Sequence, residues 1–482
     1  MLTSPRATQR PQLHRTGTSA RPGGPAATTA GLYEKALANV LDINTVPGRG
    51  AGEPPRFIRA GGEYADPWTR DAAINSWAVA STVAPDIARD TLIMVCGKQD
   101  AHRVIAQDNQ WWDQIIWVIA AWQHVLITGD HEFLVEAYGI GVRSAAILHE
   151  NRYRADVGLY VGGAVMQDGI SGYPSPPNDR AIDSSFVLNY PLAHDIMCLS
   201  TNAVYVEAYR SLAAMAAALG VDGTIYAQRS ASVADAMNRH LWMADSETYG
   251  YFAAGDDAHT LTVDDHQEAL GLAFAARFGI ADQARARRVL AAAHREPRGI
   301  PNVWPEFQDR YDATHPGRHS VSCWPMVMGF FAEAEAQCGM VDAFARSLGE
   351  LTSLVAATDG SFFEVYNAQS GAVDGGWQQG HAWPSLPDQT WSASALIRAV
   401  HTGLFGLRYE ERGLRFAPTV PDAFDGVALR GLPYRDAVLD VRLDGHGSTL
   451  QTVRVDGHEV DGHDTVIDAA LRGRHEVTLE IR

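Results

Sequence analysis

From about Gly31 to Leu407, apolar residues recur at the three- and four-residue spacing of a helix that buries one face. The period is clear in GLYEKALANVLDIN, in QWWDQIIWVIAAWQHVLIT and in HEFLVEAYGIGVRSAAILHENRY. It returns in LSTNAVYVEAYRSLAAMAAALG, YAQRSASVADAMNRHLW, HQEALGLAFAARFGI and DQARARRVLAAAHR, and again in VSCWPMVMGFFAEAEAQCG, MVDAFARSLGELTSLVAA and TWSASALIRAVHTGLFGL. With the shorter stretches this makes about a dozen helices, joined by loops that are alternately short and long. Paired helices in that rhythm predict a mostly α protein, an (α/α)6 toroid of helical hairpins with its long loops gathered at one end. From Arg408 to Arg482 the period falls to two, in short runs separated by Asp, Gly and His turns, which predicts a small antiparallel β domain. Residues 1–30, rich in Arg, Pro, Thr and Gly, read as a disordered leader. The expected division is therefore 1–30 leader, 31–407 barrel and 408–482 β domain.

Composition changes little in this picture. With 46% hydrophobic and 20% charged residues the chain resembles a soluble globular protein. A net charge of -18 and the lack of a long basic window argue against a nucleic-acid partner, since phosphate binding wants a basic face. Cys96, Cys198, Cys323 and Cys338 have neither metal-site spacing nor a dense disulfide pattern, and read as reduced core thiols. No run approaches the roughly 18 apolar residues of a membrane span, and the N-terminal stretch lacks the apolar core of a secretion signal. A cytoplasmic enzyme without metal, cofactor or membrane partner is the expectation; the oligomeric state is not legible.

The candidate chemistry concentrates in Ser361–Ala393, where Glu364 lies between Phe363 and Val365, with Tyr366, Trp377, Trp383 and Trp391 close by. A carboxylate with apolar neighbours is either a solvated strand residue or a base whose pKa its surroundings tune. Flat rings beside isolated polar groups such as Gln379 are how proteins hold a sugar. Upstream, Trp68 and Arg70 precede a helix that Asp71 opens, as cap or as sugar contact. Trp112 and Asp113 likewise start an apolar helix, whose Trp117 and Trp122 continue the buried stripe. Between the helices runs a Gly- and Pro-rich segment holding Asp168, Asp179, Asp183 and Asp195. Of these only Asp168 sits in a tight glycine turn, DGISGYP, where backbone can approach a ligand closely. A further loop carries Trp304 and Glu306.

ADPWTRD, QWWDQIIW, DGISGYP, LSTNAVYVEAY, PNVWP and above all FFEVYNAQSG followed by DQTWSASA together resemble the six-hairpin (α/α)6-barrel glycoside hydrolases. That group includes processing α-glucosidase I, mannosylglycerate and glucosylglycerate hydrolases and trehalases. The β tail is similar to the strand domain that follows the barrel in related phosphorylases and rhamnosidases. The resemblance implies an inverting, exo-acting glycosidase on a small α-glycoside or oligosaccharide. Within the E-x-Y-x-x-x-x-G pattern it makes Glu364 the catalytic base, with Tyr366 and Gly371 matching. The group's acid is an Asp in an SG-x-D-x-S-P turn; here that position aligns with Ser171, so Asp168 is taken as the acid, with Asp179, Asp183 and Asp195 as rivals. An inverting pair stands about 6.5–9.5 Å apart, with a water between. Trp68, Arg70, Asp71, Trp112, Asp113, Tyr366, Trp377, Gln379, Trp383 and Trp391 would wall the pocket. The alternatives are a sugar phosphorylase, a sugar isomerase using His194, His266, His319 or His381, and a non-catalytic carbohydrate-binding protein.

Overall fold

Every second long helix is buried around nearly its whole circumference, and this alternation builds the barrel. A computed structural model describes residues 10–15, 24–50, 52–99, 102–105, 112–174, 186–307, 311–460 and 466–482. The six sheathed helices are α2 (Thr69–Asn75), α4 (Ile116–Thr128), α6 (Leu199–Ala218), α8 (Ala269–Arg277), α10 (Pro325–Gln337) and α12 (Thr390–Arg398). Each packs on the next, and α12 packs back on α2, so they close a ring. Outside it lie α1 (Pro25–Ala38), α3 (Pro85–Met94), α5 (His131–Arg152), α7 (Thr224–His240), α9 (Gln283–Ala292) and α11 (Val341–Ala357). Each of these packs on one or two inner helices, α1 against α12 at the far end of the chain. The structure is thus the expected (α/α)6 toroid.

Residue choice explains which helix goes where. In α11 the buried side chains Phe344, Leu348, Leu351 and Val355 fall on one stripe, as an outer helix requires. In α10 all residues from Pro325 to Ala336 are buried, including Glu333. That carboxylate is paired with Arg277 of α8 at 3.0 Å and Arg398 of α12 at 2.8 Å, so three inner helices share one buried ion cluster. Removing one member would leave a buried charge without its counter-charge. The turn between α4 and α5 is set by Gly129 in the left-handed conformation and by Asp130, whose side chain accepts from the Phe133 N–H.

Links from an inner helix to the following outer one are short, Gly129–Asp130 after α4 and 338–340 after α10, whereas links into inner helices are long, 153–198 before α6 and 358–389 before α12. The long segments therefore gather at the N-terminal ends of the inner helices. There they form small two-stranded pieces, among them a hairpin of β2 (Asp374–Gln378) and β3 (His381–Pro384), numbered after the N-terminal strand β1 (Gln12–Arg15).

Strands from Leu407 onward form two sheets. The larger has the order β1, Val427–Tyr434, Asp436–Gly445, Arg472–Ile481, Leu450–Val455, His458–Glu459. It is antiparallel except where Asp436–Gly445 and Arg472–Ile481 run parallel. β1 corrects the reading of residues 1–30 as a leader: it adds an edge to this sheet and buries Leu13. Helix α1 also begins at Pro25, within the supposed leader, with the proline in the first turn where its missing N–H costs nothing. Four residues are too few to show a strand period in sequence. None of the described helices is long and apolar enough to cross a membrane, and all four cysteines are free thiols.

Candidate active site

Two of the long segments place a carboxyl each on opposite walls of one cleft. Glu364 lies on an extended stretch pinned on both sides. Its N–H donates to Leu386 O at 2.9 Å, the Val365 N–H donates to Ser385 Oγ, and Tyr366–Asn367 pairs with Ser322–Cys323. The Glu364 side chain is 5% exposed. One oxygen pairs with the Arg318 guanidinium, and the other accepts from the Tyr64 hydroxyl at 3.2 Å.

Asp168 belongs to the predicted glycine turn. Met166 is in the left-handed region, and the Val187 N–H donates to Asp168 O at 2.8 Å, which closes the turn. Gly169 is there for space: a Cβ would sit 1.9 Å from Gln378 Oε1 and 2.2 Å from His319 Cδ2. Ser171, which occupies the position of the resembling families' acid, is fully buried and holds the turn's neighbours, donating to Gln378 Oε1 and accepting from the His319 N–H, each at 3.1 Å. The Asp168 carboxyl itself is open to the cleft, its side chain 40% exposed. His319 Nε2 approaches one oxygen at 3.2 Å and Arg70 Nη2 the other at 3.5 Å.

Two arginines tie these walls together. Arg70, in the first turn of α2, is held by buried Asp113 at 3.3 Å. Arg318, besides pairing with Glu364, donates to Gly375 O at 3.0 Å and Pro384 O at 3.1 Å, so one guanidinium anchors both strands of the β2–β3 hairpin to the carboxylate. Gly376 permits this, since its φ is +73 and a Cβ would meet the Arg318 backbone at 2.7 Å. Glu306 shapes the Arg318 loop by accepting from the Gly317 N–H and the Ser320 hydroxyl.

The electrostatics follow from enclosure. Burial raises the pKa of Asp168, against the pull of Arg70 and Arg318. Burial likewise raises Glu364, opposed by Arg318 and reinforced by the negative charge of Asp168. Each carboxyl thus feels Arg318, and Glu364 feels Asp168, as expected of groups sharing a low-dielectric space. Burial, with Arg318 and Arg70 adding to it, drives His319 well below the ordinary histidine value, so its imidazole is neutral at physiological pH. Nε2 is the ring nitrogen that faces the Asp168 carboxyl.

The cleft comprises two adjoining cavities of ≈ 180 Å³ and ≈ 340 Å³. Of the residues expected to wall it, Trp68, Arg70, Asp71, Trp383 and Trp391 do so, together with Asp168 and Glu364. Asp113 stands behind Arg70. Arg70 and Asp71 lie inside the first turn of α2, which begins at Thr69, rather than before it.

Four expected wall residues are elsewhere. Trp112 is fully buried against Gly162 and Gly163, and Tyr366 is fully buried with its hydroxyl turned to the Phe363 N–H and Ser361 O; both are core. Trp377 points away from the cleft to pack edge-on against His315. Gln379 is at the tip of the hairpin with φ +53, followed by Gly380 at +74, because a two-residue turn of this hand needs both positive. A two-residue period would have separated Trp377 from Gln378, the residue that does line the cleft.

Asp179 and Asp183 lie outside the described residues, and Asp195 is exposed and away from the cleft. Among the four histidines, only His319 lines it; His194 bonds Leu188 O, His266 bonds Asp264, and His381 is exposed. Among the described residues no group of three His, Cys, Asp or Glu side chains is placed to hold a metal ion. The sequence reading missed Tyr64 and Arg318 altogether. Only their positions, Tyr64 four residues before Trp68 and Arg318 next to His319, could have been noticed.

A family model described as mannosylglycerate hydrolase MGH1-like glycoside hydrolase domain matches residues 64–392, and one described as glycosyl hydrolase family 65, C-terminal domain matches residues 407–468. No curated protein matches the sequence. Among solved structures, the chain is similar to a sialidase (14% identity, TM-score 0.67), covering 93% of this chain but 40% of that one. It is similar to the GH63 mannosylglycerate hydrolase of Thermus thermophilus in complex with glucose (16%, TM-score 0.59), covering 77% of this chain and 99% of that one. It is also similar to a GH78 family rhamnosidase of Bacillus sp. GL1 (14%, TM-score 0.58), covering 99% of this chain and 44% of that one. At these identities the structural likenesses speak for the barrel alone. The family model, spanning more than half of the chain and both carboxyl-bearing walls, carries the assignment: this chain belongs to the mannosylglycerate hydrolase MGH1-like glycoside hydrolase domain family.

Proposed function

We propose that the chain hydrolyses a small α-glycoside or oligosaccharide from its end, with inversion, using Glu364 as base and Asp168 as acid. The observation that carries this is the unequal setting of two carboxyls in one cleft. Glu364 is nearly sealed and paired with a guanidinium and a phenol, whereas Asp168, approached by His319 at 3.2 Å and by Arg70 at 3.5 Å, keeps an open face. A base must be ionised and an acid protonated in the same enzyme, and such a difference in surroundings separates the two.

In the reaction Asp168 gives its proton to the glycosidic oxygen as the bond to the anomeric carbon breaks. Glu364 takes a proton from the water that attacks the opposite face. Neutral His319 donates its Nε2–H to one Asp168 oxygen, leaving the other for the leaving group. Asp71, Arg70 and Trp68 grip the sugar, and Trp391 forms the floor. The four free thiols support a cytoplasmic setting.

The test is a panel of aryl α-glycosides and disaccharides, with the anomer of the first product followed by NMR. The reading expects the β-anomer first from an α-glycoside. First release of the α-anomer would overturn inversion. Turnover only in the presence of inorganic phosphate would overturn hydrolysis.

A further inference from the structure

The cleft has two lobes of different character. Tyr64, Asp168, Phe186, Glu364 and Trp391 line both, so the carboxyls stand at the junction. One lobe is completed by Trp68, Arg70 and Asp71 from the entry to α2, with a buried carboxylate that can accept from sugar hydroxyls. The other is completed mainly by the β2–β3 hairpin and the stretch after it, through Gln378, Trp383, Pro384 and Leu386.

Charge separates the lobes further. Among the described residues, the charged or titratable side chains of the hairpin lobe are Asp168, Glu364, Arg318, His319 and the Tyr64 phenol, which donates to Glu364. Arg318 is committed to Glu364 and to two hairpin carbonyls, and His319 to Asp168. A carboxylate entering there would face the like charge of Glu364, beside a protonated Asp168, and, among the described residues, no cation without a partner. The apolar surface points the other way. Trp383 is 40% exposed at the mouth, and its indole N–H is fixed to Gln378 O at 3.3 Å, so the ring is held in place before anything binds. A preset ring beside proline and leucine suits the flat apolar face of a pyranose.

We propose that the hairpin lobe is the leaving-group subsite, that Trp383 is its platform, and that it takes an uncharged aglycone with a flat face, a second sugar ring above all, and not a carboxylate-bearing one. This rests on the hydrolytic reading, which sets the scissile bond at the junction and the hydroxyl-gripping lobe on the glycone side.

The experiment compares wild type, Trp383→Ala and Trp383→Phe on three kinds of probe: α-glucosyl and α-mannosyl fluorides, α-linked disaccharides of the same two sugars, and their α-glycosides of glycerol and of glycerate. Fluoride fills no leaving-group subsite. For Trp383→Ala we expect kcat/KM on disaccharides to fall about tenfold, mostly through KM, with the fall on the fluorides smaller by about fivefold or more. Trp383→Phe should restore most of the loss, and wild type should prefer the glycerol glycoside to the glycerate one. Equal losses on fluoride and disaccharide, no loss on the disaccharide, or preference for glycerate would overturn the inference while leaving hydrolysis standing. Failure of the wild type to turn over any fluoride or glycoside would overturn both.

Discussion

The Asp168 turn and the Glu364 strand carry similar chemical groups across one cleft, yet the protein treats the two oppositely. Glu364 is tied by its N–H to Leu386, its stretch is pinned two residues on where Tyr366 pairs with Cys323, and it is nearly sealed and given one guanidinium and one phenol. Asp168 sits on a glycine turn that leans on a histidine ring, with two-fifths of its side chain open and its nearest guanidinium shared with Asp113. Arg318 lowers both pKa values, whereas Arg70 pulls down Asp168. What differs is enclosure and the partners each carboxyl meets, and on the proposed reading this difference divides an acid from a base.

The largest effect should come from exchanging each carboxyl for its amide. Glu364→Gln is expected to lose on the order of 10³-fold or more in kcat on every glycoside, because no substrate replaces the base. Asp168→Asn should lose on the order of 10²–10⁴-fold on disaccharides, but far less on a dinitrophenyl glycoside, whose leaving group departs without a proton. Steady-state kinetics on both substrate types decide. The reverse pattern, with Glu364→Gln rescued by the good leaving group, would exchange the two roles.

The arginines should move the pH profile in distinguishable ways. On the proposed roles activity needs Glu364 ionised, so it falls below that pKa, and Asp168 protonated, so it falls above that one. With both carboxyls raised by burial, the bell should lie above the ordinary carboxyl range of about 3.9–4.3. Arg318→Met removes a cation that lowers both groups, so both limbs should move to higher pH, with about 10²-fold loss at the optimum as the hairpin loses its anchor. Arg70→Gln combined with Asp113→Asn, which avoids a lone buried charge, should raise the alkaline limb and leave the acid limb in place. Profiles of kcat/KM against pH read this directly. A shift of the acid limb alone in the Arg70 double variant would break the comparison.

A smaller effect is expected from His319→Gln, which keeps a donor near the Asp168 oxygen. Its kcat should fall about tenfold or less, and His319→Ala further, because the turn then loses its backing. Since His319 stays neutral throughout, neither variant should remove a limb near pH 6.5. Loss of such a limb would show that the imidazole itself titrates in the working range.

Most of the fold was legible because inner and outer helices bury different fractions of their surface, and that difference is written in period and composition. PMVMGFFAEAEA has no polar face, while VDAFARSLGELTSLVAA has one. β1 was not legible, since four residues gain their meaning only from the Val427–Tyr434 edge some four hundred positions later. Glu364 and Asp168, singled out in sequence by their local company, both line the cleft. Arg318 and Tyr64 were not singled out, because each acts across the ring on a carboxylate far away in sequence. Trp112 and Tyr366 were misplaced for a related reason: an aromatic next to a site residue in sequence can point behind the wall as readily as into the cleft.

That misplacement supplies the mildest test, at Tyr366. Its ring is fully buried two residues from the base, and its hydroxyl accepts from the Phe363 N–H at 3.2 Å and donates to Ser361 O at 3.4 Å. These bonds brace the strand that carries Glu364 but reach no part of the cleft. Tyr366→Phe keeps the packing and removes the hydroxyl, which should cost about 1 kcal/mol in denaturant unfolding, the worth of an ordinary buried hydrogen bond. The strand is still held by Leu386, Ser385 and Cys323, so kcat should stay within about twofold of wild type. A wall residue would behave the other way, with unchanged unfolding and a marked rise in KM for the disaccharide. That outcome would return Tyr366 to the sugar and show that the strand turns when substrate binds.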